Sequence, residues 1–547
     1  MFGAGGGTNS YREIEETDVI VLWGSNARET HPIFFHHLLR GVRNGARLYA
    51  VDPRRTSSAE WADVWLGLDV GSDIALANAV GREIIAQGLH HREFIERATS
   101  DFEEYRAKVE SYTLEYAERE TGVPASAIRD LAHAFARADR AMILWTLGIT
   151  EHHNAVDNVV ALIDLAILCG HVGRYGSGVN PLRGQNNVQG GGDMGALPDR
   201  LPGFQHVEND ELRPKFDAAW GATVPPRRGW HLSGMFDAME RGELQALYVI
   251  GENPVQSEAD QTRARHLLET RDFMVVQDMF LTKTAELADV VFPAAASWAE
   301  SEGTVTNSER RVQRVRKALE PPGEARDDLW IVQELARRMG FDWGWTSAED
   351  VWNEVRSLSP VHAGMSYARL EALGGIQWPC YDEDHPGELF LHSRLWEDPV
   401  PGNRVPFVAV DHDPPVDKLA PDYPIRLTTG RRLESYNTGV QTAGYTNPMR
   451  RGESLDMSPE DVAAYGLVEG EVVRVVSRRG SVEVAVRVDP SLRPGLTFMT
   501  LHFQDDVATN LLTIDATDPK SGTAEFKATA IRIERLEAPL PTPVPAG

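Results

Sequence analysis

The chain has 547 residues, 42% of them hydrophobic, and Asp plus Glu outnumber Lys plus Arg by 81 to 55, for a net charge of −26. That length exceeds what one hydrophobic core serves and predicts three or four domains. The acidic balance repels a nucleic-acid duplex or an anionic membrane, and no run of roughly 18 apolar residues offers a membrane span.

The first predicted strand is "TDVIVLWGSN" (Thr17 to Asn26), a Val- and Ile-rich run closed by Gly24. A helix is predicted from Pro32 to about Arg43, and "ARLYAVDPRR" is a second strand ending at Asp52-Pro53. Strand, helix, strand implies a parallel sheet with its ligand edge at the strand C-termini. Helical patterns dominate from Ile74 to Arg137, "RAMILWTLGIT" is a strand with Gly148 at its end, and "NVVALIDLAILCG" is a helix stopped by Gly170. "PLRGQNNVQGGGDMGALP" (Pro181 to Pro198) is a glycine-rich polar loop whose charges are Arg183 and Asp193.

A second unit starts at "LQALYVIGENP" (Leu244 to Pro254), continues in "FMVVQDMF", which ends near Asp278, and closes with "ADVVFPAA" (Ala288 to Ala295). It echoes the first. Gly24 precedes Asp52 by 28 positions, and Gly251 precedes Asp278 by 27. In each, a strand-end glycine lets the backbone approach a phosphate at a helix start, and the acid can accept from ribose or base. Two such units at matched spacing suggest two nucleotide-like groups; two unrelated αβ units with turn glycines is the plain alternative. From about Pro421 the chain is β-rich, and "EVVRVVSRRGSVEVAVRV" alternates around Arg479-Gly480 as a hairpin does. The Pro-rich end, 537–547, is expected to be disordered.

The two cysteines cannot hold an iron–sulfur cluster. Cys169 is expected as a buried structural thiol. Cys380, in a Pro-containing loop with no evident cationic neighbour, is expected to be unreactive. His36-His37 and His152-His153 are adjacent pairs whose side chains should diverge on a helix, so structural roles are expected rather than zinc binding. No protein metal ligand is expected in the chain.

Ordered matches run along nearly the whole chain: "GSNARETHP", "VDPRRT", "NPLRGQNNVQGGGDMGALP", "GENPVQSE", "QDMFLTKTAELADVVFPAA", "EGTVTNSERRVQ", "TTGRRLESYNTG" and "HFQDDVATNLLT". They resemble the catalytic subunits of molybdenum- or tungsten-dependent formate dehydrogenases, within the molybdopterin oxidoreductase family. The resemblance implies an α/β fold of two nucleotide-binding αβα domains followed by a double-psi β-barrel. It places the first domain at 1–185, completed by 326–400, the second with the active-site loop at 186–325, and the barrel at 410–536. It implies bis-molybdopterin guanine dinucleotide as cofactor, with Asn26, Asp52, Asp73 and Gly148 at one dinucleotide and Gly251, Asn253, Asp278 and Thr282 at the other. Thr429, Gly430, Arg431, His502, Asn510 and Lys527 would contact both from the barrel, and His31 would join the cofactor loop. Arg183 would hold formate bidentately as the one cation of an otherwise uncharged loop, with Gln185 and Asn186 beside it.

Two departures stand out. Gly191-Gly192 replaces a frequent Ala-Cys. The family's N-terminal [4Fe–4S] domain and its Cys- or Sec-His pair have no counterpart, since "MFGAGGGTNSYREIEETD" matches just downstream of them. The expectation is a truncated or split chain, inactive alone, with Met1 internal to a longer frame or the missing region on a separate chain. The N-terminus shows no secretory signal, so a cytoplasmic location is expected. Expected partners are formate and an iron–sulfur or diaphorase electron-transfer subunit. A non-catalytic scaffold of the same fold, or another family enzyme such as a nitrate reductase, is the alternative.

Overall fold

Five short apolar runs form one parallel sheet: β1 (Val19–Trp23), β2 (Arg47–Val51), β3 (Val64–Leu66), β4 (Ala141–Trp145) and β5 (Gly178–Pro181), in the order β3-β2-β1-β4-β5. They belong to a computed structural model that describes residues 1–438 and 452–536, so the expected disordered tail at 537–547 lies outside the described residues. Continuous apolar strands suit a parallel sheet covered on both faces. Val19, Val21 and Trp23 pack with α2 (Asp73–Ala86), α3 (Ala125–Arg137) and α4 (Ala155–Leu168), whereas Ile20, Leu22 and Leu48 pack with α1 (Pro32–Arg43). Gly148 is not the last strand residue. It lies in a one-turn helix, Leu147–Thr150, just after β4.

The second unit is smaller. β6 (Ala246–Ile250), β7 (Phe273–Asp278) and β8 (Val290–Pro293) are parallel in the order β8-β7-β6. One face packs Val249, Met274 and Val276 against Phe236 of α5 (Leu232–Glu240) and Leu268 of α6 (Gln261–Thr270). An antiparallel sheet follows, from β9 (Gly303–Thr306), β10 (Arg311–Val315) and β11 (Ile376–Gln377).

Residues 326–400 do not return to the first unit as a block. Trp352, Tyr367, Leu370, Trp378 and Cys380 form a core with Val312 and Ile376, and Leu358 packs on Leu201 and Phe216. The apolar face of the helix Ala348–Leu358 is therefore shared between its own segment and the 193–315 region. Within the segment, Leu395 and Trp396 reach the core of the first sheet.

The C-terminal strands β12 (Ile425–Gly430), β13 (Ser454–Met457), β14 (Val472–Val476), β15 (Ser481–Val488), β16 (Leu496–Thr500) and β17 (Thr529–Arg535) close into a barrel in the order β12-β16-β13-β15-β14-β17. Period-two alternation puts Val473, Val475, Val482, Val484 and Val486 inside, and the hairpin expected around Arg479-Gly480 joins β14 to β15.

Candidate active site

The two αβ units repeat each other at the level of single hydrogen bonds. Gly24 has φ +58° and donates its N–H to Val51 O at 2.8 Å; Gly251 has φ +62° and donates to Gln277 O at 2.9 Å. Asn26 precedes a one-turn helix and its Oδ1 accepts from Ser58 Oγ at 2.8 Å; Asn253 does the same with Thr284 Oγ1 at 2.7 Å. Asp52 accepts from the Arg54 N–H at 2.9 Å, and Asp278 from the Phe280 N–H at 3.1 Å. Even the anchors of the outer strands match. Asp63 accepts from the Leu48 N–H at 2.8 Å, and Asp289 from the Met274 N–H at 2.7 Å. Each unit thus offers a left-handed strand-end glycine, an amide fixed at a helix start, and a carboxylate locked in a turn.

Both cradles face one cavity of about 600 Å³ between the two units and the barrel. Asn26, Asp52, Asp73, Gly148 and Gln185 line it from the first unit and its following loop. Gly251, Asn253, Asp278 and Thr282 line it from the second, and Thr429, Gly430, Arg431 and Lys527 from the barrel; His31 lines it too. Burial raises the Asp52 carboxyl to about 6, against the pull of Arg54, and raises Asp73 and Asp278 as well. Asp73 accepts from the Trp23 indole N–H at 2.8 Å.

Four expected residues lie off the cavity lining. His502 Nδ1 sits 3.0 Å from the main chain of Tyr436, which itself lines the cavity. Asn510 is buried and donates to Gln256 O and Ser257 O, tying the barrel to the second unit. Asn186 is exposed. Arg183 turns its side chain away, donating from Nε to Gln189 Oε1 at 3.2 Å and from a terminal nitrogen to Gly5 O at 3.0 Å. Its carbonyl lies 2.7 Å from His31 Nε2, so the loop is still tied to the cavity wall.

The loop around Arg183 is less uncharged than its sequence implied. Asp193 is buried, accepts from Gln189 Nε2 and Trp378 Nε1 at 2.8 Å each, and has its carboxyl raised by burial to about 6. Half-buried Arg183 and buried Gln189 and Asp193 form one polar chain, and desolvation lowers the guanidinium's proton affinity.

Several pairings went unread in the sequence because the partners lie hundreds of residues apart. Lys527 pairs with Glu151 at 2.6 Å across the cavity edge, and the Arg54 guanidinium stacks 3.7 Å from the centre of the Phe498 ring. His152 and His153 do not diverge, because they sit in a turn before α4 and both reach Glu525, at 3.3 and 3.4 Å. Glu525 also accepts from the N–H groups of His153, Lys527 and Ala528. Cys169 is buried as expected, whereas buried Cys380 does have a cationic neighbour, Arg369, 3.4 Å from its sulfur.

Residues 3–338 match the family described as "Molybdopterin oxidoreductase", and residues 425–530 match "Molydopterin dinucleotide binding domain". The chain is 39% identical to the F420-dependent formate dehydrogenase subunit alpha of Methanocaldococcus jannaschii, over 98% of its own length and 79% of that protein. It is 37% identical to formate dehydrogenase H of Escherichia coli, over 98% and 75%. The fold is similar to that of acetylene hydratase from Pelobacter acetylenicus, with a TM-score of 0.74 at 21% identity, covering 97% of this chain and 79% of that one. Among the described residues no helix is long and apolar enough to cross a membrane.

Proposed function

The chain belongs to the molybdopterin oxidoreductase family, and from that premise we propose that it serves as the catalytic subunit of a formate dehydrogenase, taking formate to carbon dioxide and a proton and passing two electrons to a partner protein. The observation that carries this reading is the pair of matching cradles on one cavity. A cofactor with two dinucleotide arms, bis-molybdopterin guanine dinucleotide with molybdenum or tungsten, suits a wall built twice over. The donor set fits it: carboxylates at Asp52 and Asp278 would accept from guanine N–H groups, and Lys527 and Arg431 would donate to phosphate, with Thr429 and Gly430 lining the wall beside them. When bound, the group supplies the two-electron centre at which the formate C–H bond is broken.

The chain's own residues bind and orient. Gly24 and Gly148 pack backbone to backbone at the cavity wall, Gly251 leaves room for a ligand to approach its backbone, and Asn26 and Asn253 fix the turns that aim the helix-start N–H groups. Arg183 is our assignment for formate. A guanidinium has five N–H donors, and two of them meet Gln189 and Gly5, which holds its plane while an edge grips both carboxylate oxygens. Gln185 and Asn186 flank it, and His502 and Asn510 support the barrel wall. On this reading residues 1–185 hold one dinucleotide, 186–325 hold the other and carry the substrate loop, and 410–536 close over both. The electrons leave to an iron–sulfur or diaphorase subunit.

One observation favours a second reading, a non-catalytic scaffold of the same fold: the Arg183 side chain lies off the cavity lining. The two readings separate in formate-dependent reduction of a viologen dye by the chain assembled with the region that carries the Cys- or Sec-His pair, its cofactor content measured. Turnover supports the enzyme; a fully loaded protein that reduces no dye is the scaffold.

A further inference from the structure

Arg183 is held by its main chain as well as by its side chain. Its N–H donates to Ser308 Oγ at 2.8 Å, in the turn between β9 and β10, and its carbonyl oxygen lies 2.7 Å from His31 Nε2. Leu182, just before it, donates its N–H at 2.9 Å to the oxygen of Trp145, the last residue of β4. Just after it come Gly184, Gln185 and Asn186, all exposed. Arg183 thus stands where the chain leaves the cavity wall, and the contacts on its two peptide groups decide where its side chain starts.

The arm that reaches its carbonyl is stiff. His31 stands between the one-turn helix Ala27–Thr30 and α1. It closes the first by donating its N–H to Ala27 O at 2.8 Å, and its carbonyl accepts the Phe35 N–H at 2.9 Å in the first turn of α1. Pro32 follows, with φ fixed by its ring. A backbone pinned on both sides leaves the imidazole its two side-chain torsions and little else.

The ring meets Arg183 in one hydrogen-bonding state. A carbonyl oxygen accepts and cannot donate, so Nε2 carries a hydrogen. Nδ1 lies 2.7 Å from Thr30 Oγ1, whose hydroxyl can donate to it when the ring is neutral. Burial favours the neutral ring, and the nearby Arg431 charge adds to that. The same Thr30 oxygen lies 3.0 Å from Asn26 O, in the first cradle. One chain of contacts therefore runs from Asn26 through Thr30 and His31 to Arg183 O.

We infer that His31 is a positioning residue for the substrate arginine. Its Nε2–H fixes the Arg183 carbonyl while Ser308 fixes the N–H, so the peptide planes on both sides of the Cα are set. Gln189 and Gly5 hold the far end of the same side chain. The clamp also ties the substrate loop to the cradle that Asn26 opens. The inference rests on the assignment of Arg183 to formate.

Two readouts test it. In the purified chain, His31→Leu should speed amide exchange over 183–186 by about tenfold or more, and His31→Gln, which keeps a side-chain N–H donor, should restore most of the protection. In the chain assembled with the region that carries the Cys- or Sec-His pair, His31→Leu should raise the formate KM about tenfold, with kcat, guanine and metal content little changed. His31→Gln should again recover. His36→Leu, on the exposed face of α1, should change neither. Unchanged exchange in His31→Leu would overturn the inference, as would lost guanine or metal, or a His31→Gln variant no better than His31→Leu. So would an unchanged KM in His31→Leu where Arg183→Lys raises it. If Arg183→Lys itself leaves formate use unchanged, the formate assignment fails, and the exchange data alone decide the clamp.

Discussion

Gly24 and Gly148 meet backbone to backbone at the cavity wall: a Cβ on Gly24 would come within 2.8 Å of the Gly148 carbonyl carbon, and one on Gly148 within 2.5 Å of Gly24 O. Thr146 Oγ1 locks the contact by donating to the same Gly24 oxygen at 2.7 Å. Strands β1 and β4 are thereby held at a spacing no other residue permits. Gly148→Ala should cost about 1–3 kcal/mol by overpacking. Gly191→Ala, where nothing lies within 4 Å, should cost nothing measurable. Urea midpoints of the two variants check this; equal midpoints would mean the contact is not tight.

Asp52 and Asp278 end equivalent strands and hold equivalent turns. If each anchors one arm of a single cofactor, Asp52→Ala and Asp278→Ala should each lower bound guanine and bound metal together. Two arms on one metal are lost as a unit, so the double variant should do little more than either alone. The check is nucleotide and metal content after purification. An effect from one variant alone would break the paired reading.

Glu525 couples the barrel to the first unit through His152 and His153. Burial would raise Glu525, but the His152 charge and the hydrogen bonds from both histidines outweigh it and hold it well below the ordinary range. His152 is raised because Glu525 outweighs its burial, and His153 is raised chiefly by its hydrogen bond to Glu525. A lowered carboxylate stabilises above its unfolded value and loses that contribution as pH falls through its folded one. A raised histidine stabilises below its unfolded value, about 6.5, and loses that contribution as pH rises through its folded one. The coupling should therefore be firmest between about pH 4.5 and 6.5 and weaken on the alkaline side. Asp52, raised by burial, also loses stability as pH rises, so the useful readout is a difference. The gap in urea midpoint between wild type and Glu525→Gln should shrink from about pH 6 to about pH 9; a constant gap would place the coupling elsewhere.

Local rules expose some of these features and hide others. The βαβ units were legible because Val19–Trp23 and Ala246–Ile250 are apolar runs closed by glycine, and the acids at 52 and 278 follow at nearly equal spacing. The matching anchors Asp63 and Asp289 were not legible, since a strand-start carboxylate looks like any surface acid until its N–H partner is placed. Lys527 with Glu151, and Glu525 with the two histidines, depend on barrel docking that no local pattern encodes. The partners of Trp352 and Tyr367 were not legible either, because an amphipathic helix announces an apolar face, not the sheet that receives it.

Arg183→Lys replaces a planar fork with a point charge and removes the Nε donor to Gln189. In enzyme reconstituted with cofactor and an electron acceptor, formate use should fall by about 2–3 kcal/mol in kcat/KM while guanine and metal content stay unchanged. Unchanged turnover would remove Arg183 from the formate site, and lost cofactor would recast it as a scaffold residue.

The central claim is that two guanine nucleotides occupy the paired cradles of one chain. Denaturing the purified protein and measuring released guanine nucleotide against molybdenum and tungsten tests it most directly. The account expects two guanines for each metal atom, with both lost when the metal is lost. One guanine per metal, or metal without guanine, would contradict it.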